Sequence, residues 1–150
     1  MGSRRKSRKA ALGILYQCDI HQDWDAEKVA REYFGENDEV GKEESAFAMA
    51  LADGVAEHLE EIDSQLALAL TNWPLDRLGY MERSILRIGA FEILHQDFTP
   101  DKVAVDEAVE LSKIYCDMES SKLINGALQS VIDRKAAGNV PGLSGEKLAG

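Results

Sequence analysis

The stretch Tyr80–Leu94, YMERSILRIGAFEIL, constrains the fold more than any other part of the chain. Between Ser84 and Leu94 only Arg87 and Glu92 are charged. Ile85, Leu86, Ile88, Ala90, Phe91, Ile93 and Leu94 occupy nearly every direction of a helical wheel. A helix that is apolar all round keeps no face for water and belongs in the middle of a domain. It is also too short to cross a bilayer, which takes about 20 apolar residues. The stretch is therefore expected to be the central helix of a soluble helical protein. Its charges need partners, because an unpaired charge in a core is very costly. Arg87 is expected to pair with Glu92 or with a carboxylate from another helix, and Arg83, one turn earlier, to be exposed.

The flanking sequence repeats the helical signal. Ala11, Ile14, Leu15 and Cys18 make a stripe on a first helix over about Ser3–Gln22. Asp25 is a plausible N-cap for a second helix through Phe34, which Gly35-Glu36-Asn37-Asp38 ends. A third begins near Glu43, with Phe47, Leu51, Val55, Leu59, Ile62, Leu66 and Leu70 at three- and four-residue intervals. That pattern is long for one globular helix, so a break is expected near His58–Asp63. Asn72-Trp73-Pro74 stops it, since proline removes a donor and disfavours helix just before itself. Beyond the connector Leu75–Gly79 and the central helix, Thr99 is expected as the N-cap of a helix to Tyr115, with Pro100 at its first position. Leu123, Ile124, Ala127, Leu128, Val131 and Ile132 mark a last helix opened by Ser120, Ser121 and Lys122. The class is all-α: a single domain over about 1–135, in two small lobes of about 1–72 and 73–135. A Gly-rich tail, 136–150, is expected to be disordered.

Charge supplies the first functional clue. Net charge is −10, yet Arg4, Arg5, Lys6, Arg8 and Lys9 place +5 in the first nine residues. The remainder carries 12 basic against 27 acidic residues, or −15. Cations at a helix N-terminus oppose the macrodipole, so an external polyanion is a natural partner for that end. A short solvated basic tail would have the same composition. Tyr16, two turns beyond Arg8, lies close to the same side, either stacked on a base or packed in the core.

Catalytic and metal chemistry find little support. His21, His58 and His95 are scattered without metal-ligand spacing, and P-loop, GxGxxG and GxSxG motifs are missing. Cys18 and Cys116 are expected to be reduced thiols, because the basic start lacks a cleavage site and the chain is taken as cytoplasmic, with no membrane partner. The sequence thus points to binding without catalysis, cofactor or metal. Ser120, Ser121 and Lys122 at a helix start would suit a phosphate, or would simply cap the helix.

ERSILRIGAFEIL (82–94), KVAVDEAVELSKIY (102–115) and SSKLINGALQSVID (120–133), with the opening RRKSRKAALGILYQCDI, resemble the NusB transcription antitermination family. The resemblance runs from about Arg4 to Arg134 with its motifs in order. It implies a non-catalytic fold of two helical subdomains that binds the boxA element of ribosomal RNA leaders. It also implies a small-subunit ribosomal protein (NusE) as co-partner, in a complex that lets RNA polymerase read through terminators. By position it implies RNA contacts at Arg4, Arg5, Arg8 and Tyr16 and at the corner Glu119, Ser120, Ser121, Lys122 and Leu123. The family often has an aromatic where this chain has Leu123. Glu82, Arg83 and Arg87 fall on the implied protein-partner surface, and the acidic bulk of the chain fits a basic ribosomal protein. Some relatives dimerise, so a homodimer is a further implied state. The alternatives are the RNA-binding domain of an RNA cytosine methyltransferase and a helical adaptor that binds only protein.

Overall fold

A computed structural model describes residues 2–36 and 41–140, and among these the chain forms seven α-helices, one 3-10 turn and no strand. The helices are α1 (Gly2–His21), α2 (Ala26–Glu36), α3 (Lys42–Glu57), α4 (Leu59–Ala69), α5 (Tyr80–His95), α6 (Asp101–Tyr115) and α7 (Met118–Ala136), with the 3-10 turn at Leu75–Arg77. The expected all-α class is what the structure contains.

Helix α5 is the hub. Every residue from Ser84 to Leu94 is buried, and α1, α3, α4, α6 and α7 all pack on it. Ile85, Leu86, Ile93 and Leu94 are fully sealed from solvent. Each such side chain stabilises the fold by about 1.5–3 kcal/mol relative to exposure. Two glycines allow this crowding. A Cβ on Gly54 of α3 would lie within 2.8 Å of three ring carbons of Phe91, and one on Gly89 would lie 2.6 Å from Leu128 Cδ1. Any side chain there would push a neighbouring helix away.

The long apolar pattern of residues 42–70 does break, and it breaks at His58. With φ −107° and ψ 20° this residue closes α3 and starts α4. Its N–H donates to Gly54 O, while its carbonyl accepts from Ile62 N–H. The bend lets Ile62 and Leu66 keep facing the core, where both are fully buried.

Several boundaries differ from expectation. Helix α2 continues through Gly35 to Glu36, and Asn37 and Asp38, expected to stop it, lie outside the described residues. Pro100, not Thr99, caps α6. Thr99 is buried and its hydroxyl donates to Glu92, 3.4 Å away. That buried carboxylate needs donors, and it draws the threonine inward. Helix α7 opens at Met118, before Ser120. Asp117 is its N-cap, its side chain accepting from Ser120 N–H at 2.8 Å. Asp117 sits three residues before that N–H, the spacing a capping side chain needs.

The end of α7 is also ordered beyond the expected limit. Gly138 adopts φ +74°, and the N–H groups of Gly138 and Asn139 return to Lys135 O and Arg134 O. This pair of bonds is a Schellman closure, with glycine in the left-handed position that favours it. It turns Val140 into the core, so the disorder expected from 136 does not hold for 136–140. The rest of the expected tail, 141–150, lies outside the described residues.

Candidate nucleic-acid interface

The basic residues of α1 have three different environments. Arg4 is exposed, its guanidinium 3.8 Å above the Phe47 ring and 5.5 Å from that of Phe98. Stacking holds the plane of the group and leaves its N–H edges outward. Arg5 donates to Glu107 Oε2 at 2.7 Å with about half of its side chain exposed. The hydrogen bond and charge of Glu107 raise the Arg5 pKa still further above its ordinary value. Arg8 is buried. Its Nη2 and Nε lie 2.7 and 3.0 Å from the two oxygens of Glu92, and its Nη1 is 3.4 Å from Glu107. This fork-to-carboxylate pair satisfies the isolated charge of the central helix. Lys6 and Lys9 are exposed beside it.

The corner between α6 and α7 faces this end of α1. One groove is lined by Arg5, Glu107, Lys113, Ser121, Lys122 and Asn125, so residues far apart in sequence meet there. Ser121 Oγ lies 2.6 Å from Ser112 Oγ, which in turn donates to Val109 O. Ser121 is therefore held from below, while Lys122 is exposed. Beside it a second groove joins Trp73, Arg77, Glu82, Glu119, Ser120 and Leu123. Here Ser120 Oγ donates to Glu82 Oε1 at 3.5 Å, linking the implied RNA corner to the implied protein-partner surface. Cys116 lies under the same corner. Burial first, and the adjacent Glu82 second, push its thiol pKa up to about 12.

Tyr16 is half-buried and meets exposed Tyr80 edge-on, with centroids 6.1 Å apart. Next to them, Arg83 is not exposed as expected. It pairs with Asp19 at 2.9 Å and donates to the carbonyls of Asp76 and Leu78. Arg87 does not meet Glu92. It donates to Asp19 at 3.0 Å and makes two bonds of 2.9 Å to Asp63, with the Trp24 ring 5.2 Å from its guanidinium. The reason is angular: five residues along an α-helix turn the side chain by about 140°, so Arg87 and Glu92 face different neighbours. Arg87 thus pairs with carboxylates from other helices, the second of the two pairings expected for it.

The anions Asp19, Asp63 and Glu107 are the residues that sequence reasoning missed, and Glu92 was given the wrong partner. Glu92 alone carried a signal, as a lone carboxylate in an apolar helix. Asp19 follows Cys18 in a helix rich in polar residues, and nothing local distinguishes it. Among the described residues, no helix is long and apolar enough to cross a membrane.

Comparison with known proteins completes the picture. A family model described as the NusB family matches residues 5–133. The transcription antitermination protein NusB of Finegoldia magna is 37% identical over 133 residues, covering 89% of this chain and 96% of the relative. The protein of the same name from Symbiobacterium thermophilum is 39% identical over 136 residues, covering 87% and 89% respectively. A crystal structure of the antitermination factors NusB and NusE in complex with dsRNA superposes with a TM-score of 0.80 at 29% identity, covering 89% of this chain and 98% of that one. NusB of T. maritima gives a TM-score of 0.80 at 29% identity, covering 97% and 96%.

Proposed function

Since the chain belongs to the NusB family, we propose that it is a transcription antitermination factor that binds boxA RNA of ribosomal RNA leaders together with a small-subunit ribosomal protein. Its work is binding, not catalysis, and its place is in the antitermination complex on RNA polymerase. The observation that carries this reading is the groove in which Arg5 meets Ser121 and Lys122. A phosphate entering it exchanges with Glu107 for Arg5 and gains the Lys122 ammonium. Arg4, stacked on Phe47 in an adjoining groove that shares Glu107, adds a second phosphate contact. Arg8 acts from beneath, through the Glu92 and Glu107 carboxylates it holds.

The same groove carries acids, and the chain as a whole is at −10. This penalises polyanions that bring only charge, so affinity has to come from base contacts as well. Leu123 can touch a base face but cannot stack on it as a ring does. Trp73 lines the groove beside Leu123 and is 54% exposed. It supplies the stacking surface that Leu123 lacks. Glu82, on the shared wall, lies where RNA and the basic ribosomal protein meet.

The test is a titration of labelled boxA RNA against a scrambled RNA at two salt concentrations, with and without the ribosomal protein. The expected result is a preference for boxA that persists at the higher salt, increases with the ribosomal protein and weakens in Arg4→Ala/Arg5→Ala. Equal binding to both RNAs, falling in parallel with salt, would leave only the counterion term and reject the proposal.

A further inference from the structure

We propose that His58, Glu61 and His95 form a binding site for a single divalent transition-metal ion of the zinc class. The fold brings together what the sequence scatters. His58 stands at the break between α3 and α4, Glu61 in the first turn of α4, and His95 in the last turn of α5. Their potential ligand atoms all lie within 4.8 Å of one another. Glu61 reaches both rings, with Oε1 3.2 Å from His95 Nε2 and Oε2 3.9 Å from His58 Nδ1. The cluster lies away from the basic groove, and this proposal is independent of RNA binding.

Three arguments favour a metal over an ordinary ion pair. The first is ligand chemistry: two imidazoles and one carboxylate are a donor set that selects zinc-like ions over Mg²⁺ or Ca²⁺, which prefer oxygen alone. The second is the form of the contact. Glu61 Oε1 is closed off from solvent and meets His95 Nε2 at 3.2 Å as an ion pair without hydrogen-bond geometry, so a cation there would engage it more fully. The third is the backbone field. His95 lies in the last turn of α5, and helix C-termini favour positive charge.

The geometry of the two rings also defines what must move. The two rings are stacked, with centroids 4.0 Å apart and 17° between their planes. Parallel rings cannot both aim an in-plane lone pair at one point, so one ring must turn about χ2, a soft torsion for histidine. Ligand atoms of a tetrahedral zinc ion, with bonds of about 2.0–2.2 Å, stand about 3.3–3.5 Å apart, so the cluster needs only a small contraction. Three protein ligands leave a fourth position for water. The bound ion would pin the α3–α4 break to the end of the central helix.

The test uses the full chain, stripped with a chelator and titrated with Zn²⁺ by calorimetry and with Co²⁺ by visible absorption. One ion per chain is expected, with Co²⁺ bands that Zn²⁺ abolishes. His58→Gln and Glu61→Gln should each weaken binding by at least about tenfold, the loss that even outer-shell changes produce. His21→Gln, which removes an exposed histidine elsewhere, should leave it unchanged. His58 and Glu61 are each about one-third exposed, so both substitutions leave the core intact, and far-UV circular dichroism checks this. Binding no tighter than millimolar, or binding that survives His58→Gln or is lost in His21→Gln, would overturn the proposal.

Discussion

Replacing Arg8 by alanine separates two roles that a basic N-terminus can have. The Arg8 side chain is 5% exposed and that of Glu92 1%. Truncating the arginine leaves Glu92 in the core with, among the described residues, only the long 3.4 Å bond from Thr99. Breaking a buried pair in this way costs about 3–5 kcal/mol. In a chain of 150 residues each kcal/mol moves the melting temperature by about 2–4 °C, so a fall of roughly 6–20 °C is expected in calorimetry. Arg8→Met with Glu92→Leu removes both charges and should recover most of the loss, since apolar replacement of a buried pair is often neutral or stabilising. RNA binding supplies the second readout. Below its lowered melting temperature, Arg8→Ala should keep the wild-type dependence of log K on log salt. Arg4→Ala and Arg5→Ala should each reduce the slope by about 0.7, the value per phosphate on a single strand. A loss under about 1 kcal/mol together with a slope reduced as in Arg5→Ala would show that Arg8 faces RNA and that the reasoning is wrong.

Further outcomes follow from the same contacts. Glu107→Gln removes the carboxylate that competes for Arg5, so RNA affinity should rise and its salt dependence steepen in a filter-binding titration. Trp73→Ala should weaken boxA binding by about 1–3 kcal/mol, the worth of one base–aromatic stack, and wild-type Trp fluorescence should be quenched by the RNA. Gly54→Ala forces a methyl group against the Phe91 ring and should destabilise by about 1–3 kcal/mol in urea unfolding, as overpacking does. Burial raises the thiol pKa values of Cys18 to about 11 and Cys116 to about 12. Because only the thiolate reacts, alkylation of the native protein near neutral pH should be far slower than that of a free thiol and should accelerate only towards those values.

The helices were legible because their apolar spacing is a local property. Phe91 and its neighbours identify the hub without knowledge of what surrounds it, and the seven-member run from Phe47 to Leu70 is too long to be straight. The site was legible in part. Arg4, Arg5, Ser121 and Lys122 could be named from the order of the motifs, but the meeting of Arg5, Ser121 and Lys122 in one groove depends on how α1 lies against α6 and α7. The pairing of charges was hidden. Glu92 accepts from Arg8, 84 residues away, and Asp19 accepts from Arg87, 68 residues away, and ion pairs of that separation leave no periodic trace. The cap of α6 was misplaced for a related reason. Thr99 is a good N-cap by local chemistry, but the buried Glu92 claims its hydroxyl.

The three ion pairs that fasten α1 to α5 at two points have a mechanical consequence. Arg8 is fastened to Glu92, and eleven residues later Asp19 is fastened to Arg83 and Arg87, fixing the helices in antiparallel sense. The two anchor points are about 16 Å apart along α1 at 1.5 Å per residue. A rod held at both places can neither roll nor slide, so the spacing and bearing of its outward cations are set before any strand arrives. The binding partner has to adapt to the protein's ruler, and the entropy lost on association falls on the nucleic acid.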